Sequence, residues 1–252
     1  MRGILSLKVY HCENFIEDLK ELGLTISEKQ KEQFIMYYEL LTEWNSFMNL
    51  TAITEFDEVM KKHFVDSVSL VRALPDINEK VYTLIDVGTG AGFPGIPLKI
   101  MFPQLQVVLL DSLNKRVSFL NEVIQKLKLT DIEALHGRAE DFAKKKEYRE
   151  YFDICVSRAV ANLATLSEYC LPFVKIGGMF VSYKSEKITE EFENAKEAIK
   201  ILGGIYEKQV EFILPSSDIY RNLFMIKKCK NTPGKFPRKA GLPSKEPISR
   251  KM

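Results

Sequence analysis

A glycine-rich loop and the acidic residue that follows it form the densest chemical pattern in the sequence. The run 84–87 leads directly into Gly88, Gly90 and Gly92. Glycine permits a positive φ and lets a ligand lie against bare main chain. The next apolar run ends in Asp111, and a carboxylate there can accept hydrogen bonds from both hydroxyls of an adenosine ribose. The pattern therefore predicts a site for a nucleoside cofactor.

Two classes of cofactor are compatible with this loop. Gly90, Gly92 and Gly95 match the dinucleotide fingerprint G-x-G-x-x-G, which would indicate an NAD-dependent oxidoreductase. Pro94 and Pro97, however, remove two of the N–H groups with which a helix start holds a pyrophosphate. A cofactor without phosphates, such as S-adenosylmethionine, therefore suits the loop better.

The elements that position this loop follow from the hydrophobic pattern. Seven short apolar runs alternate with helical patterns, at 81–87, 107–110, 132–136, 152–156, 179–183, 209–214 and 223–226. Runs such as 107–110 lack polar alternation, which is typical of parallel strands covered on both faces. The order predicts an α/β fold with a doubly wound, mostly parallel seven-stranded sheet and the loop at its topological switch point. The last two runs lack a long helix between them and predict an antiparallel pair at the sheet edge.

Composition divides the chain into three predicted regions: an N-terminal helical annexe at 1–80, the sheet domain at 81–230 and a basic tail at 231–252. Ser27 and Gln30 predict a capping box at a helix start in the annexe. The four cysteines are scattered, so we expect neither a disulfide scaffold nor a metal site, and a cytoplasmic location fits. No apolar stretch approaches the roughly 18 residues of a membrane span, and the start of the chain does not resemble a signal peptide.

The C-terminal tail is strongly basic. Residues 227–252 carry nine basic side chains and one acidic one, and 231–252 hold four of the ten prolines. Prolines favour an extended segment, so Arg238, Lys239 and Lys245 are predicted to contact RNA phosphates. Phe236 could stack on an unpaired base. The alternative is a solvated end without a ligand.

Seven blocks of the sequence carry a resemblance to a known family. They are NLTAI at 49–53, HFVDS at 63–67, LIDVGTGAGFPGIPLKI at 84–100, LLDSLNKRVSFL at 109–120, GRAEDF at 137–142, SRAVANL at 157–163 and PRKAGLPSKEP at 237–247. On these blocks the sequence resembles the bacterial small-subunit ribosomal RNA guanine-N7 methyltransferases, also called the glucose-inhibited division protein B family. The resemblance implies the S-adenosylmethionine-dependent methyltransferase fold.

The resemblance also implies an activity and a set of contacts. The activity is methyl transfer from S-adenosylmethionine to N7 of one guanosine in 16S rRNA, which in the family is guanosine 527 of the 530 loop. The partner is 16S rRNA or the small ribosomal subunit, and we expect a monomer without a metal. The implied cofactor contacts are Gly88, Gly90, Phe93, Asp111, Ser112, Leu113, Ala139, Glu140 and Arg158.

The residues after the fourth strand bear on the chemistry. Methylation of an exocyclic amine typically uses Asn/Asp-Pro-Pro-aromatic there, whereas this chain has Ser157-Arg158. N7 of guanine carries a lone pair and no proton, so we expect catalysis by positioning and name no catalytic acid or base. Arg158 could contact cofactor or RNA, or pair with Glu140 or Asp86. Asp86 could organise the loop or bond a ligand ammonium.

Two functions compete with methyl transfer. One is the NAD-dependent oxidoreductase already described. The other is a non-catalytic RNA-binding factor of ribosome assembly that has kept its cofactor pocket for stability. Binding of NAD but not of S-adenosylmethionine would favour the first, and an absence of methyl incorporation into rRNA would favour the second.

Overall fold

One seven-stranded sheet with helices on both faces organises the chain. The computed structural model describes residues 10–158, 161–186 and 188–248. Within these residues the strands are Thr83–Val87 (β1), Gln106–Asp111 (β2), Ile132–His136 (β3), Phe152–Ser157 (β4), Val174–Lys184 (β5), Gly204–Ile213 (β6) and Tyr220–Lys228 (β7). The α-helices are Glu13–Glu21 (α1), Glu28–Met48 (α2), Phe56–Val59 (α3), Asp66–Val68 (α4), Gly95–Met101 (α5), Asn114–Lys126 (α6), Ala139–Phe142 (α7), Leu163–Cys170 (α8), Thr189–Ile201 (α9) and Leu242–Lys245 (α10). A π-helix spans Met60–Val65, and 3-10 helices span Ser69–Arg72, Pro75–Asn78 and Leu171–Phe173.

The strand order of the sheet is β3-β2-β1-β4-β5-β7-β6. Strands β1 to β5 pair in parallel, while β7 runs antiparallel to both β5 and β6. The chain reverses its direction of winding between β1 and β4, so the carboxyl end of β1 lies at a topological switch point. The predicted α/β, doubly wound, mostly parallel sheet with an antiparallel pair at its edge is confirmed.

Apolar clusters cover both faces of the sheet. Alternate residues of β1 belong to different clusters: Leu84 packs with the N-terminal helices, and Ile85 packs with α8 and α9. The first cluster contains Phe34 of α2 and Phe64 of the π-helix together with residues of the sheet. The boundary predicted at residue 80 therefore separates elements that share one core.

The N-terminal helices are fixed by capping and by contacts with the sheet domain. Helix α2 begins at the predicted capping box, in which Gln30 N donates to Ser27 Oγ at 3.3 Å and Ser27 N donates to Gln30 Oε1 at 3.0 Å. The Gln30 amide also donates to the carbonyl oxygens of Ile100 and Met101 at the end of α5. None of the helices in the described ranges is long and apolar enough to cross a membrane.

Residues 231–248, predicted as an extended tail, pack against the sheet domain. The Arg149 guanidinium donates to the carbonyl oxygens of Thr232 at 2.7 Å and Phe236 at 3.0 Å. Phe236 is buried in the cluster formed with α8 and α9, which corrects its interpretation as an exposed base-stacking residue. The segment docks because Arg149 and residues of α8 supply partners for its polar groups.

Candidate active site

The glycine loop leaves β1 in a conformation that favours glycine. Gly88, Gly90 and Gly92 have φ values of 72°, 62° and 96°, in the left-handed region where side chains are strained. A Cβ on Gly90 would meet no heavy atom within 4 Å. The loop thus keeps a bare stretch of main chain beside open space, as a cofactor cradle requires.

Asp86 fixes the conformation of this loop through hydrogen bonds. Its Oδ2 accepts hydrogen bonds from Thr89 Oγ1 at 2.6 Å and from Gly95 N at 2.9 Å. Within the described residues its Oδ1 has no hydrogen-bond partner. Burial raises the pKa of Asp86 to about 6, against the opposing effect of the two donors. Of the two roles left open by the sequence, the contacts support that of loop organiser.

Asp111 joins the ends of the first two strands. Its Oδ2 accepts a hydrogen bond from Gly90 N and its Oδ1 accepts one from Leu113 N, both at 2.9 Å. The Arg116 guanidinium lies 3.4 Å from Oδ2. The carboxylate therefore lies next to the glycine loop, as the spacing in the sequence predicts.

A crevice of about 360 Å³ opens between the ends of β1, β2 and β3. Five of the nine predicted cofactor residues line it: Gly88, Asp111, Ser112, Ala139 and Glu140. Gly90 and Leu113 do not line it but bond to Asp111. Apolar Leu110 and Leu166 line its walls with Tyr169, and Arg116 and Arg138 also line it. Carboxylates beside apolar walls fit the hydroxyls and the flat base of a nucleoside.

The start of α5 is unsuited to a pyrophosphate. Gly95 N donates to Asp86, and Ile96 N donates to the carbonyl oxygen of Gly92 at 2.8 Å. Pro97 has no N–H. The first three residues of this helix therefore present no free amide hydrogen, whereas binding of a dinucleotide phosphate depends on such groups. The geometry supports the cofactor without phosphates.

Phe93 and Arg158 belong to a second group of side chains beyond the loop. The Arg158 guanidinium lies over the Phe93 ring at 5.0 Å and donates from Nη1 to Asp66 Oδ2 at 2.8 Å. Asp66 is buried, and its Oδ1 accepts from Arg221 Nε at 2.7 Å. Arg158 thus pairs with Asp66 rather than with Glu140 or Asp86, the two partners considered from the sequence.

His63 lies in the same group as a neutral imidazole. Its ring stacks on Phe93 at 4.5 Å, and Arg158 Nη2 lies 3.3 Å from Nδ1. Since a guanidinium can only donate, Nδ1 accepts, so Nε2 carries the hydrogen and donates to Thr51 Oγ1 at 2.8 Å. Burial, assisted by the Arg158 charge, lowers the pKa of His63 to about 3. Both ring nitrogens are engaged, so His63 positions Arg158.

A larger cleft of about 830 Å³ adjoins this group. Its polar lining includes Lys62, Asn162, Lys184 and Arg221 together with His63, Asp66 and Arg158. Ala161 lines both this cleft and the crevice, so the two cavities are neighbours at this residue. Sequence reasoning missed Arg221 because it lies on β7, outside every block that carries the resemblance. Residues of the NLTAI, HFVDS and SRAVANL blocks line this cleft.

The predicted RNA contacts of the C-terminal segment fall into two kinds. Arg238 donates from Nη2 to Glu168 Oε2 at 2.6 Å and from Nε to Glu168 Oε1 at 3.0 Å. Glu168 is fully buried in α8, so Arg238 anchors the segment. Lys239 and Lys245 are exposed and keep free surface for a polyanion.

Comparisons with known proteins decide the family. Residues 30–220 match the model of the family described as rRNA small subunit methyltransferase G (GidB). The Ribosomal RNA small subunit methyltransferase G of Lachnoclostridium phytofermentans is 57% identical over 94% of this chain and 97% of that protein. The protein of the same name from Acetivibrio thermocellus is 54% identical over 93% of this chain and 95% of its own length.

The chain belongs to this family. Its fold type, its class as an S-adenosylmethionine-dependent rRNA methyltransferase and its cofactor are therefore as predicted. Among solved structures, a mutant of the protein MtNAS shares the fold with a TM-score of 0.53, at 14% identity over 86% of this chain and 75% of that one. The individual roles of the nine predicted cofactor residues remain predictions.

Proposed function

We propose that the chain transfers the methyl group of S-adenosylmethionine to N7 of one guanosine in 16S rRNA, guanosine 527 by the family resemblance. The observation that carries this proposal is that two neighbouring cavities share the lining residue Ala161. The crevice suits a nucleoside, and the larger cleft, lined by Lys62, Lys184 and Arg221, suits a nucleotide of a polyanion. Membership of the rRNA methyltransferase family supports the same assignment.

The proposed reaction needs alignment rather than proton transfer. When bound, S-adenosylmethionine supplies an electrophilic methyl group on a sulfonium. Guanine N7 has a lone pair and no proton, so the chain has no proton to remove and only has to hold N7 in line with the methyl group. Neutral His63, with both nitrogens engaged, is consistent with a site that works by positioning.

Each group of residues has a proposed part in that alignment. Asp111 would accept hydrogen bonds from the ribose hydroxyls, with Gly90 leaving room for the cofactor against the main chain. Arg158 and Phe93 would border the point where the cofactor and the base meet. Because Asp66 bonds Arg158 and Arg221 at once, it would keep both guanidinium groups facing the cleft.

Methyl incorporation tests the reaction directly. The full chain is incubated with tritiated S-adenosylmethionine and either small subunits or stripped 16S rRNA, and borohydride and aniline cleavage then locates 7-methylguanosine. We expect label in one guanosine. Label at another atom refutes the N7 assignment, and cofactor binding without any incorporation favours the non-catalytic assembly factor.

Calorimetry with a matched pair of carboxylate variants tests the cofactor assignment. Asp111→Asn should raise the Kd for S-adenosylmethionine about tenfold or more, since hydrogen bonds to a charged group are the stronger ones. Asp141→Asn is the control, because Asp141 is exposed on α7 outside the crevice lining. Equal affinities of the two variants, or tight binding of NAD by the unmodified chain, would contradict the assignment.

The assembly state and setting are also proposals. We propose that the chain acts in the cytoplasm as a monomer on 16S rRNA or the small subunit, without a metal. In the described ranges no group of three His, Cys, Asp or Glu side chains is placed to hold a metal ion. Light scattering gives the oligomeric state. Methyl incorporation that is unchanged by a chelator, but is lost when charged residues of the site are replaced, would support the metal-free proposal.

A further inference from the structure

The C-terminal segment makes a hydrogen bond to a residue that lines the crevice. Gly241 N donates to Glu140 Oε1 at 2.8 Å. Glu140 is buried at the start of α7 and lines the crevice. A solvated tail would not donate a hydrogen bond to a buried carboxylate 101 positions earlier in the chain. The contact instead ties the segment to one wall of the cavity.

The same segment also holds the opposite wall. Leu166 and Tyr169 of α8 line the crevice, and two other residues of that helix bond the segment. Thr165 Oγ1 donates to the carbonyl oxygen of Pro243 at 3.0 Å, and Glu168 accepts three hydrogen bonds from the Arg238 side chain. Residues 238–245 thus bridge α7 and α8, the two helices that flank the crevice.

We propose that residues 238–245 form the back wall of the cofactor site and that Gly241 is a positioning residue, which holds Glu140 for the nucleoside end of the cofactor. This inference rests on the proposed function, because it takes the crevice as the place of S-adenosylmethionine. It assigns the segment to cofactor binding, in addition to any contact of its lysines with RNA.

Gly241 is suited to this part by its backbone. Its φ of 82° lies in the left-handed region, and a Cβ there would meet only Arg138 Nη1 at 3.9 Å. Alanine would therefore fit in space but would strain the turn that aims the N–H at Glu140. The substitution perturbs the direction of one donor without a steric clash.

The test is the Kd for S-adenosylmethionine of the full chain carrying Gly241→Ala, measured by calorimetry. We expect it to rise about tenfold, within the usual range of coupling between sites. The Kd for 5′-methylthioadenosine, which lacks the amino-acid part, should rise by the same factor. Gly23→Ala is the matched control, since Gly23 has a φ of 74° and open space but lies after α1.

A double-mutant cycle separates positioning from general destabilisation. If Gly241 acts through Glu140, Gly241→Ala should have no further effect on the Kd in a Glu140→Ala background. An equal effect in both backgrounds overturns the positioning role. A Gly241→Ala variant that binds the cofactor as tightly as Gly23→Ala overturns the back wall itself.

A second variant keeps the test decisive if Gly241→Ala does not fold. Thr165→Val removes the hydrogen bond to Pro243 but nearly preserves the shape of the side chain. We expect a rise in Kd of about threefold, corresponding to one neutral hydrogen bond, and an unchanged Kd overturns the inference. Failure of the unmodified chain to bind S-adenosylmethionine would instead refute the proposed function, so the two failures are distinguishable.

Discussion

Replacement of Arg238 by alanine distinguishes an anchor from an RNA contact. The side chain makes three hydrogen bonds with Glu168, from Nε to Oε1 at 3.0 Å, from Nε to Oε2 at 3.1 Å and from Nη2 to Oε2 at 2.6 Å. Glu168 has no exposed surface. The variant therefore leaves a buried carboxylate without its counter-charge.

The size of the effect follows from what remains. Removing one partner of a buried ion pair costs about 3–5 kcal/mol. In Arg238→Ala the backbone N–H of residue 238 can still donate to Glu168 Oε1, a contact of 2.7 Å in the structure. The loss should lie at the lower end, about 3 kcal/mol, which in a chain of this size lowers Tm by roughly 10 °C.

Thermal and urea unfolding of three variants provide the assay. Lys239→Ala removes an exposed neighbour and should change the free energy of unfolding by less than about 0.5 kcal/mol. The double variant Arg238→Met with Glu168→Gln removes both charges and should recover to within about 1 kcal/mol of the parent. Two results together would refute the role of Arg238 as an anchor. They are a Tm of Arg238→Ala equal to that of Lys239→Ala, and a slope of log K for RNA binding against log salt concentration that is smaller by about one. Arg238 would then contact an RNA phosphate.

Three further predictions concern the loop and the exposed lysines. The pKa of Asp86 is about 6 in the folded chain and 3.8 as its ordinary value. The folded state therefore keeps this proton longer, and the contribution of Asp86 to the free energy of unfolding should fall by about 3 kcal/mol as pH rises from about 4 to about 6. Urea midpoints of Asp86→Asn should lack that fall, and a parallel pH profile would contradict the burial effect. In Gly95→Ala the new Cβ would lie 2.3 Å from Leu109 Cδ2 and 3.0 Å from Asp86 Oδ2, so we expect a loss of about 1–3 kcal/mol and weaker cofactor binding in the same calorimetry. Lys239→Ala combined with Lys245→Ala should weaken RNA binding and lower its salt slope by about two, with Tm unchanged; an unchanged slope means that these lysines do not touch RNA.

The central strands of the sheet could be predicted because they are covered on both faces. Runs without polar alternation, such as 107–110, mark buried strands wherever they occur. The ends were harder to place. Strand β5 begins at Val174 rather than at 179, because Lys175 and Ile176 are exposed at the margin of the sheet and carry no burial pattern. Helix α7 ends at Phe142, and the three lysines at 144–146 that follow are exposed and bury no apolar face.

The candidate site was predictable where it depends on local chain geometry. Positive φ at three glycines and the position of Asp111 both follow from strand-loop-helix spacing. Contacts between distant segments were not predictable. Asp66 pairs with Arg158 and Arg221, which lie 92 and 155 positions away in the chain. The sequence of the basic tail also does not indicate that Arg238 has a buried partner, because the burial of Glu168 depends on packing alone.

The contact between α2 and the glycine loop limits how the chain can be recombined. Tyr37 donates its hydroxyl hydrogen to the carbonyl oxygen of Ala91, and a Cβ on Gly92 would lie 2.6 Å from the same hydroxyl. The glycine loop is thus covered by α2, a helix that ends 35 residues before the first strand begins. A chimera that exchanges the first third of the chain with a relative must carry a tyrosine at the position of Tyr37. Without it, the glycine loop loses the side chain that covers it. The smallest transplantable catalytic module therefore includes the N-terminal helices.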